Sequence, residues 1–335
     1  MKAFVIDRYS KNEPMRLIEL QDPRLKDHEV LVQVHAAGVN PLDSKIKTGE
    51  FKLLLPYAFP LVLGHDVAGV VTKIGSRVQQ FKVGDEVYAR PRDGRIGTFA
   101  ELISVDESDL ALKPKSLTMT EAASIPLVGL TAWQALVEMA KLRKGEKVFI
   151  QAGSGGVGTF AIQLARHFGA TVATTTSASS ADLLKRLGAD TVIDYKTQDF
   201  ESVLSPQNVV LHSQDKTALF KSFNVLKPGG KLISISGPPD PRFAEEQKSG
   251  FLLRQLFRLL SSKARRTAKR RGGDYAFLFM RANGPQLREI ATLIDAGSIR
   301  PVLDKVFPFA LANEALALVE SGRAKGKVVI NVRQP

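Results

Sequence analysis

The chain has 335 residues, 44% hydrophobic and 24% charged, which fits about two soluble globular domains and excludes a largely disordered chain. No run approaches the roughly 18 apolar residues of a membrane-spanning helix, and the opening MKAFVIDRYS does not resemble a secretory signal. The absence of cysteine removes disulfides, thiol nucleophiles, iron–sulfur clusters and thiolate zinc sites, and it fits a reducing, cytoplasmic setting.

The first 120 residues predict short strands at 2–6, 29–36 and 68–74, with glycine, proline and aspartate between them, as in a partly open β-barrel. Near residue 120 the pattern changes. Helical spacing at 131–142 leads into a strand at 147–151, a glycine loop at 152–158 and a helix at 159–168. Strands at 171–175, 191–193, 209–211 and 231–236 then alternate with helical segments. That alternation predicts an α/β doubly wound parallel sheet, because parallel strands need crossover connections. Helices are expected at 285–296 and 313–322, and a last strand at 327–332 could return to close the N-terminal β domain. The domains are therefore expected at 1–122 with 283–335, and at 123–282.

The net charge of +13 is local. Residues 251–273 hold Arg254, Arg258, Lys263, Arg265, Arg266, Lys269, Arg270 and Arg271 and no acid, so eight cations account for more than half of it. Leucines and phenylalanines at helical spacing precede most of these charges. Such a stretch can form a lid or a dimer contact, the favoured reading; an anionic membrane surface or a nucleic acid is the less favoured partner.

Gly153, Gly155 and Gly158 have the G-x-G-x-x-G spacing between a predicted strand and a predicted helix, the context a dinucleotide site requires. The first glycine permits the turn, the second lets backbone approach a pyrophosphate, and the third allows close helix packing. After the next strand an NAD site usually places a carboxylate. Here Thr174 to Ser180 are hydroxyl-bearing apart from Ala178, with no acid before Asp182, which favours NADP(H).

GVNPLDSKIKTGEF (38–51), LGHDVAGVV (63–71), VGDEVYA (83–89), GTFAEL (97–102), PLVGLTAWQAL (126–136), QAGSGGVG (151–158), LGADTVIDY (187–195), LKPGG (226–230) and GKVVI (326–330) occur in an order that resembles the medium-chain dehydrogenase/reductase superfamily. The likeness is strongest to its zinc-independent quinone oxidoreductase and alkenal/enone reductase branch. It implies a GroES-like β domain plus a Rossmann domain, hydride transfer from NADPH to an enal, enone or quinone, and a homodimer.

Carried over by resemblance, Asn40, Lys45 and Thr131 would lie near the nicotinamide side. Ser154, Gly155, Gly156 and Val157 would hold the pyrophosphate, and Ser177, Ser180 and Tyr195 would meet the 2′-phosphate. Ser236, Gly237, Phe277, Leu278 and Phe279 would line the nicotinamide. Tyr57, between two matching segments, is the candidate donor to the substrate oxygen, with Asn40 beside the reacting groups. Zinc-dependent relatives carry a cysteine at the position of Asn40 and a four-cysteine loop where Ala89–Thr98 is short here. His65, Asp43 and Asp66 could form a residual carboxylate site, but the resemblance favours no metal. His212 departs from the family pattern and is expected to be a loop residue. An NADPH-binding sensor or structural protein without turnover, or a reductase of other carbonyl compounds, would use the same loop.

Overall fold

The computed structural model describes residues 1–246 and 250–333; residues 247–249 and 334–335 of the two expected domains lie outside the described residues. In chain order the strands are β1 (Lys2–Ile6), β2 (Arg16–Glu19), β3 (Glu29–Val39), β4 (Leu61–Val62), β5 (Asp66–Ile74), β6 (Glu86–Ala89), β7 (Leu102–Asp106) and β8 (Leu110–Leu112). They continue as β9 (Lys147–Ile150), β10 (Thr171–Thr176), β11 (Thr191–Asp194), β12 (Gln207–His212), β13 (Leu226–Ser234), β14 (Asp274–Phe277), β15 (Leu303–Pro308) and β16 (Lys327–Asn331). The chain divides into two compact units, Met1–Leu130 with Arg281–Pro335, and Thr131–Met280.

In the first unit β3 is the central strand. It pairs antiparallel with β5, β7 and β16, and the sheet runs β15-β16-β3-β5-β6-β8. The final strand thus returns to the N-terminal domain, with Val328 opposite Val39 and Ile330 opposite Ala37. The inward residues of β3 (Val30, Val32, Val34) share one core with Val67, Val87, Phe99, Val328 and Ile330. Removing this apolar surface from water is the main driving force for the unit.

The second unit is a six-stranded parallel sheet in the order β11-β10-β9-β12-β13-β14. Its central strands are buried along nearly their whole length, as a parallel sheet covered on both faces requires. The order reverses between β9 and β12. In doubly wound sheets, ligands bind beyond the strand C-termini at such a switch point.

Two elements differ from expectation. The helix expected from Thr159 begins at Gly156 and runs to His167; glycines in its first turn hide it from an apolar-periodicity reading. The segment expected as one helix over 131–142 is a helix Pro126–Trp133 followed by a π-type turn Gln134–Met139. The last strand of the parallel sheet is Asp274–Phe277, so Leu278 and Phe279 follow it. No helix among the described residues is long and apolar enough to cross a membrane.

Candidate active site

The glycine loop follows β9 and opens the helix Gly156–His167. Gly153 N–H donates to Thr175 O of β10 at 2.9 Å, and Ala152 takes φ +51° to make the turn. A Cβ at Gly153 would stand 2.1 Å from Thr174 Oγ1, and one at Gly158 would stand 2.4 Å from Ala152 O. These two glycines are required by the protein's own packing. Gly155 differs, because a Cβ there would meet only Ala152 O at 3.4 Å. No side chain caps the helix at Gly155, which leaves its N-terminal N–H groups and positive dipole end for an anion. Ser154, Gly155, Gly156 and Val157 are half-buried, between the buried Gly153 and Gly158.

At the end of β10, Thr176 Oγ1 and Ser180 Oγ are both buried and have no hydrogen-bond partner among the described residues. Buried hydroxyls are normally satisfied, so the orphan at Thr176, next to the Thr175 carbonyl that accepts Gly153 N–H, fits a polar ligand. Ser180 is only 2% exposed and faces inward; Ser177 and Ser179, whose hydroxyls lie 3.1 Å apart, are the more accessible ones. Tyr195 N–H donates to Thr176 O at 3.2 Å, and its ring is 62% exposed beside this strand end. The glycine loop and these hydroxyls together fit a phosphorylated dinucleotide.

Ser236 and Gly237 follow β13. His212 organises their turn: Ser234 Oγ donates to His212 Nδ1 at 2.7 Å, and His212 Nε2–H donates to Asp215 O at 3.0 Å. Ser234 Oγ also accepts Gly237 N–H at 2.7 Å, while Ser236 Oγ donates to Gln214 O at 2.7 Å. Burial lowers the His212 pKa, so the ring is neutral and structural at pH 7. Leu278 N–H donates to Ser234 O, and the rings of Phe277 and Phe279 both pack on Phe243. Thr131 is buried on the helix Pro126–Trp133.

In the first unit, Asn40 precedes the helix Pro41–Lys47, and its backbone N–H donates to Asp43 Oδ2 at 2.7 Å. Its amide is fully engaged. Nδ2 donates to Asp66 Oδ2 at 2.9 Å and to Gly38 O at 3.4 Å, and Oδ1 accepts from Lys327 Nζ at 2.5 Å. Lys327 also donates to Asp66 Oδ2 at 2.9 Å, and Asp66 Oδ1 accepts Leu127 N–H at 2.7 Å. Asn40 is 1% exposed, so it positions this network and is not free to touch a reacting atom. Lys45 lies elsewhere on that helix, half-exposed, 3.9 Å from Glu50 and 6.0 Å from the Phe51 ring centroid.

Tyr57 is half-buried, and its Oη accepts Gly94 N–H at 3.4 Å. Burial pushes the hydroxyl up to about 12; Asp93 adds to the rise, whereas the Gly94 N–H and Arg90 oppose it. Tyr57 is therefore a protonated donor throughout the neutral range. Arg90 is 1% exposed, with Nη2 on Asp93 Oδ1 at 2.5 Å. Its Nε and Nη1 have no partner among the described residues, and it borders a basin of about 380 Å³ with Arg92, Asp93, Arg281 and Asn283. Neither Lys327 nor Arg90 is among the site residues expected from the sequence. The signal for Lys327 was a lone cation opening an apolar strand after Gly326; Arg90 gave none.

Residues 26–115 match the alcohol dehydrogenase GroES-like domain, and residues 187–330 match the zinc-binding dehydrogenase domain. A human mitochondrial NAD(P)H oxidoreductase is 38% identical over 99% of this chain and 89% of its own length. A chloroplastic NADPH-dependent alkenal/one oxidoreductase of Arabidopsis thaliana is 34% identical over 98% of this chain and 79% of the relative. The quinone oxidoreductase structure from Coxiella burnetii superposes with a TM-score of 0.84 at 29% identity, covering 99% of each chain.

The donor set does not fit the zinc that one domain name implies. His65 Nδ1 is bound to Asp43 Oδ1 at 2.5 Å; its buried Nε2 has no partner among the described residues and could ligate. Both oxygens of Asp66 are occupied, however, and the Lys327 ammonium stands against that carboxylate, where a divalent cation would be repelled. The described residues contain no cluster of three or more His, Cys, Asp or Glu able to hold a metal. With its two domains, its glycine loop at the switch point and relatives alignable along nearly its whole length, the chain belongs to the medium-chain dehydrogenase/reductase family of NAD(P)H oxidoreductases, in the quinone oxidoreductase and alkenal/enone reductase branch.

Proposed function

We propose that this protein is an NADPH-dependent reductase of activated alkenes (enals and enones) or quinones that works without a metal. The observation carrying this reading is the glycine loop, with steric room at Gly155 and, at the end of the adjoining strand, the Thr176 hydroxyl without a partner among the described residues. The cofactor is NADP(H): the end of β10 carries hydroxyls and no carboxylate to repel a 2′-phosphate. When bound, it supplies a hydride to the β-carbon of the α,β-unsaturated carbonyl or to the quinone.

The chain's own residues do the rest. The helix N-terminus at Gly155–Gly158 holds the pyrophosphate through backbone N–H groups, and Ser177 with Tyr195 bonds the 2′-phosphate. The turn braced by His212 and Ser234 presents Ser236 and Gly237 to the nicotinamide. The Tyr57 hydroxyl donates to the substrate oxygen as negative charge develops there, and its raised pKa keeps that proton in place. Asn40 acts through Lys327 and Asp66 as a positioning residue. The family resemblance supports a homodimer, and the cysteine-free composition suits a reducing, cytoplasmic setting.

The test is NADPH oxidation against short enals, ring enones, and ortho- and para-quinones, with NADH as the control cofactor. Turnover of one of these classes with NADPH preferred over NADH is expected. Tight NADPH binding without turnover of any class would replace the enzyme reading with a sensor or structural one. No binding of either cofactor would refute both.

A further inference from the structure

Residues 251–273 fold as two consecutive helices, Phe251–Leu260 and Ser262–Arg270, joined at Ser261. The first turns Phe257 inward onto Phe243, with 4% of Phe257 exposed. Away from that contact it presents Leu252, Leu256 and Leu259, spaced i, i+4, i+7 along one stripe; Leu252 is 83% and Leu259 71% exposed. Exposed single leucines are ordinary, but three in register on one helix, flanked by exposed Phe251 and Leu260, form a patch that calls for a partner.

The second helix buries Ala264 and Ala268. Its opposite side carries Arg266, Lys269 and Arg270, all exposed, and Arg271 follows. Of the eight cations, only Arg254 pairs with a carboxylate among the described residues, that of Glu245. Lys263 lies over the Phe220 ring, and Arg265 and Arg271 bond neutral oxygens. The surface therefore combines an uncovered apolar stripe with an unneutralised cationic helix.

We propose that this helix pair docks on an anionic phospholipid surface, with the leucine stripe entering the headgroup boundary and the cations of the second helix meeting lipid phosphates. Charge decides the occupant. A second copy docking through the same face by two-fold symmetry would set these cations, of which only Arg254 has a carboxylate partner among the described residues, against themselves. Nucleic acid would answer the cations but leave the leucines in water. An anionic bilayer satisfies both, in the way interfacial amphipathic helices do.

The test is co-sedimentation of the full-length protein with phosphatidylcholine vesicles and with vesicles containing 30% phosphatidylglycerol, at low and at 0.5 M salt. Binding only to the anionic vesicles, weakened by salt, is expected. The triple variant Leu252→Gln, Leu256→Gln, Leu259→Gln should lower partitioning about tenfold or more, with NADPH affinity and the circular dichroism spectrum unchanged. No binding to anionic vesicles would overturn the proposal. So would binding that the triple variant leaves intact, since the cations would then be acting as a general polyanion patch. Conversion of a wild-type oligomer to monomer by the triple variant would show that a second copy covers the face, and would equally overturn it.

Discussion

Lys327→Met tests the buried charge network of the first unit. Lys327 is 5% exposed, and its ammonium lies 2.9 Å from Asp66 Oδ2 and faces a carboxylate with no solvent exposure. Its removal leaves Asp66 charged in a low-dielectric interior, and breaking a buried pair from one side costs about 3–5 kcal/mol. Asp66 keeps two donors, Leu127 N–H and Asn40 Nδ2, so the lower end, about 3 kcal/mol, is expected. With a urea m-value of about 2 kcal/mol/M, that is a midpoint shift of about 1.5 M at unchanged m. The double variant Lys327→Met, Asp66→Asn removes both charges. It should be less destabilised than the single costs added together, with a coupling energy of about 2 kcal/mol. Urea unfolding of the four proteins in the cycle measures this. A Lys327→Met cost below about 1 kcal/mol, or strict additivity, would refute the buried ion pair.

Gly155→Ala should leave the unfolding midpoint within about 0.5 kcal/mol of wild type yet weaken NADPH binding about tenfold or more, because its new methyl meets no protein atom closer than 3.4 Å. Gly158→Ala should lose affinity and about 1–3 kcal/mol of stability, since its Cβ would lie 2.4 Å from Ala152 O; equal behaviour of the two variants would contradict the distinction. Tyr57→Phe should reduce kcat about tenfold or more, and unchanged turnover would remove Tyr57 from the reaction. Because burial lowers the His212 pKa below 6.5, the unfolded chain takes up that proton first. The stabilisation is complete above pH 6.5 and is lost as pH falls through the folded value, with a slope of up to about 1.4 kcal/mol per pH unit. His212→Gln should flatten the acid limb of a stability–pH curve; a limb of unchanged slope would assign the protons elsewhere.

The fold class and the place of the glycine loop are legible in the order of residues alone, because both are written in local terms. Apolar periodicity switches from strand to helix along the chain, and three glycines sit where a strand turns into a helix. The zinc question was legible in part, since the absence of cysteine is a matter of composition. Its physical resolution was not: Lys327 and Asn40 are 287 positions apart, and only the pairing of β16 with β3 brings ammonium, amide and carboxylate together. The inward turn of Ser180, the His212 brace and the burial of Arg90 were hidden for the same reason. Each depends on which way a side chain faces after distant strands pair, and neighbouring residues do not encode that direction. The basic segment divides along the same line. Its charge could be counted from the sequence, whereas the exposure of its leucines was decided by tertiary packing, because the helix turns Phe257 and not Leu252 or Leu259 toward the protein.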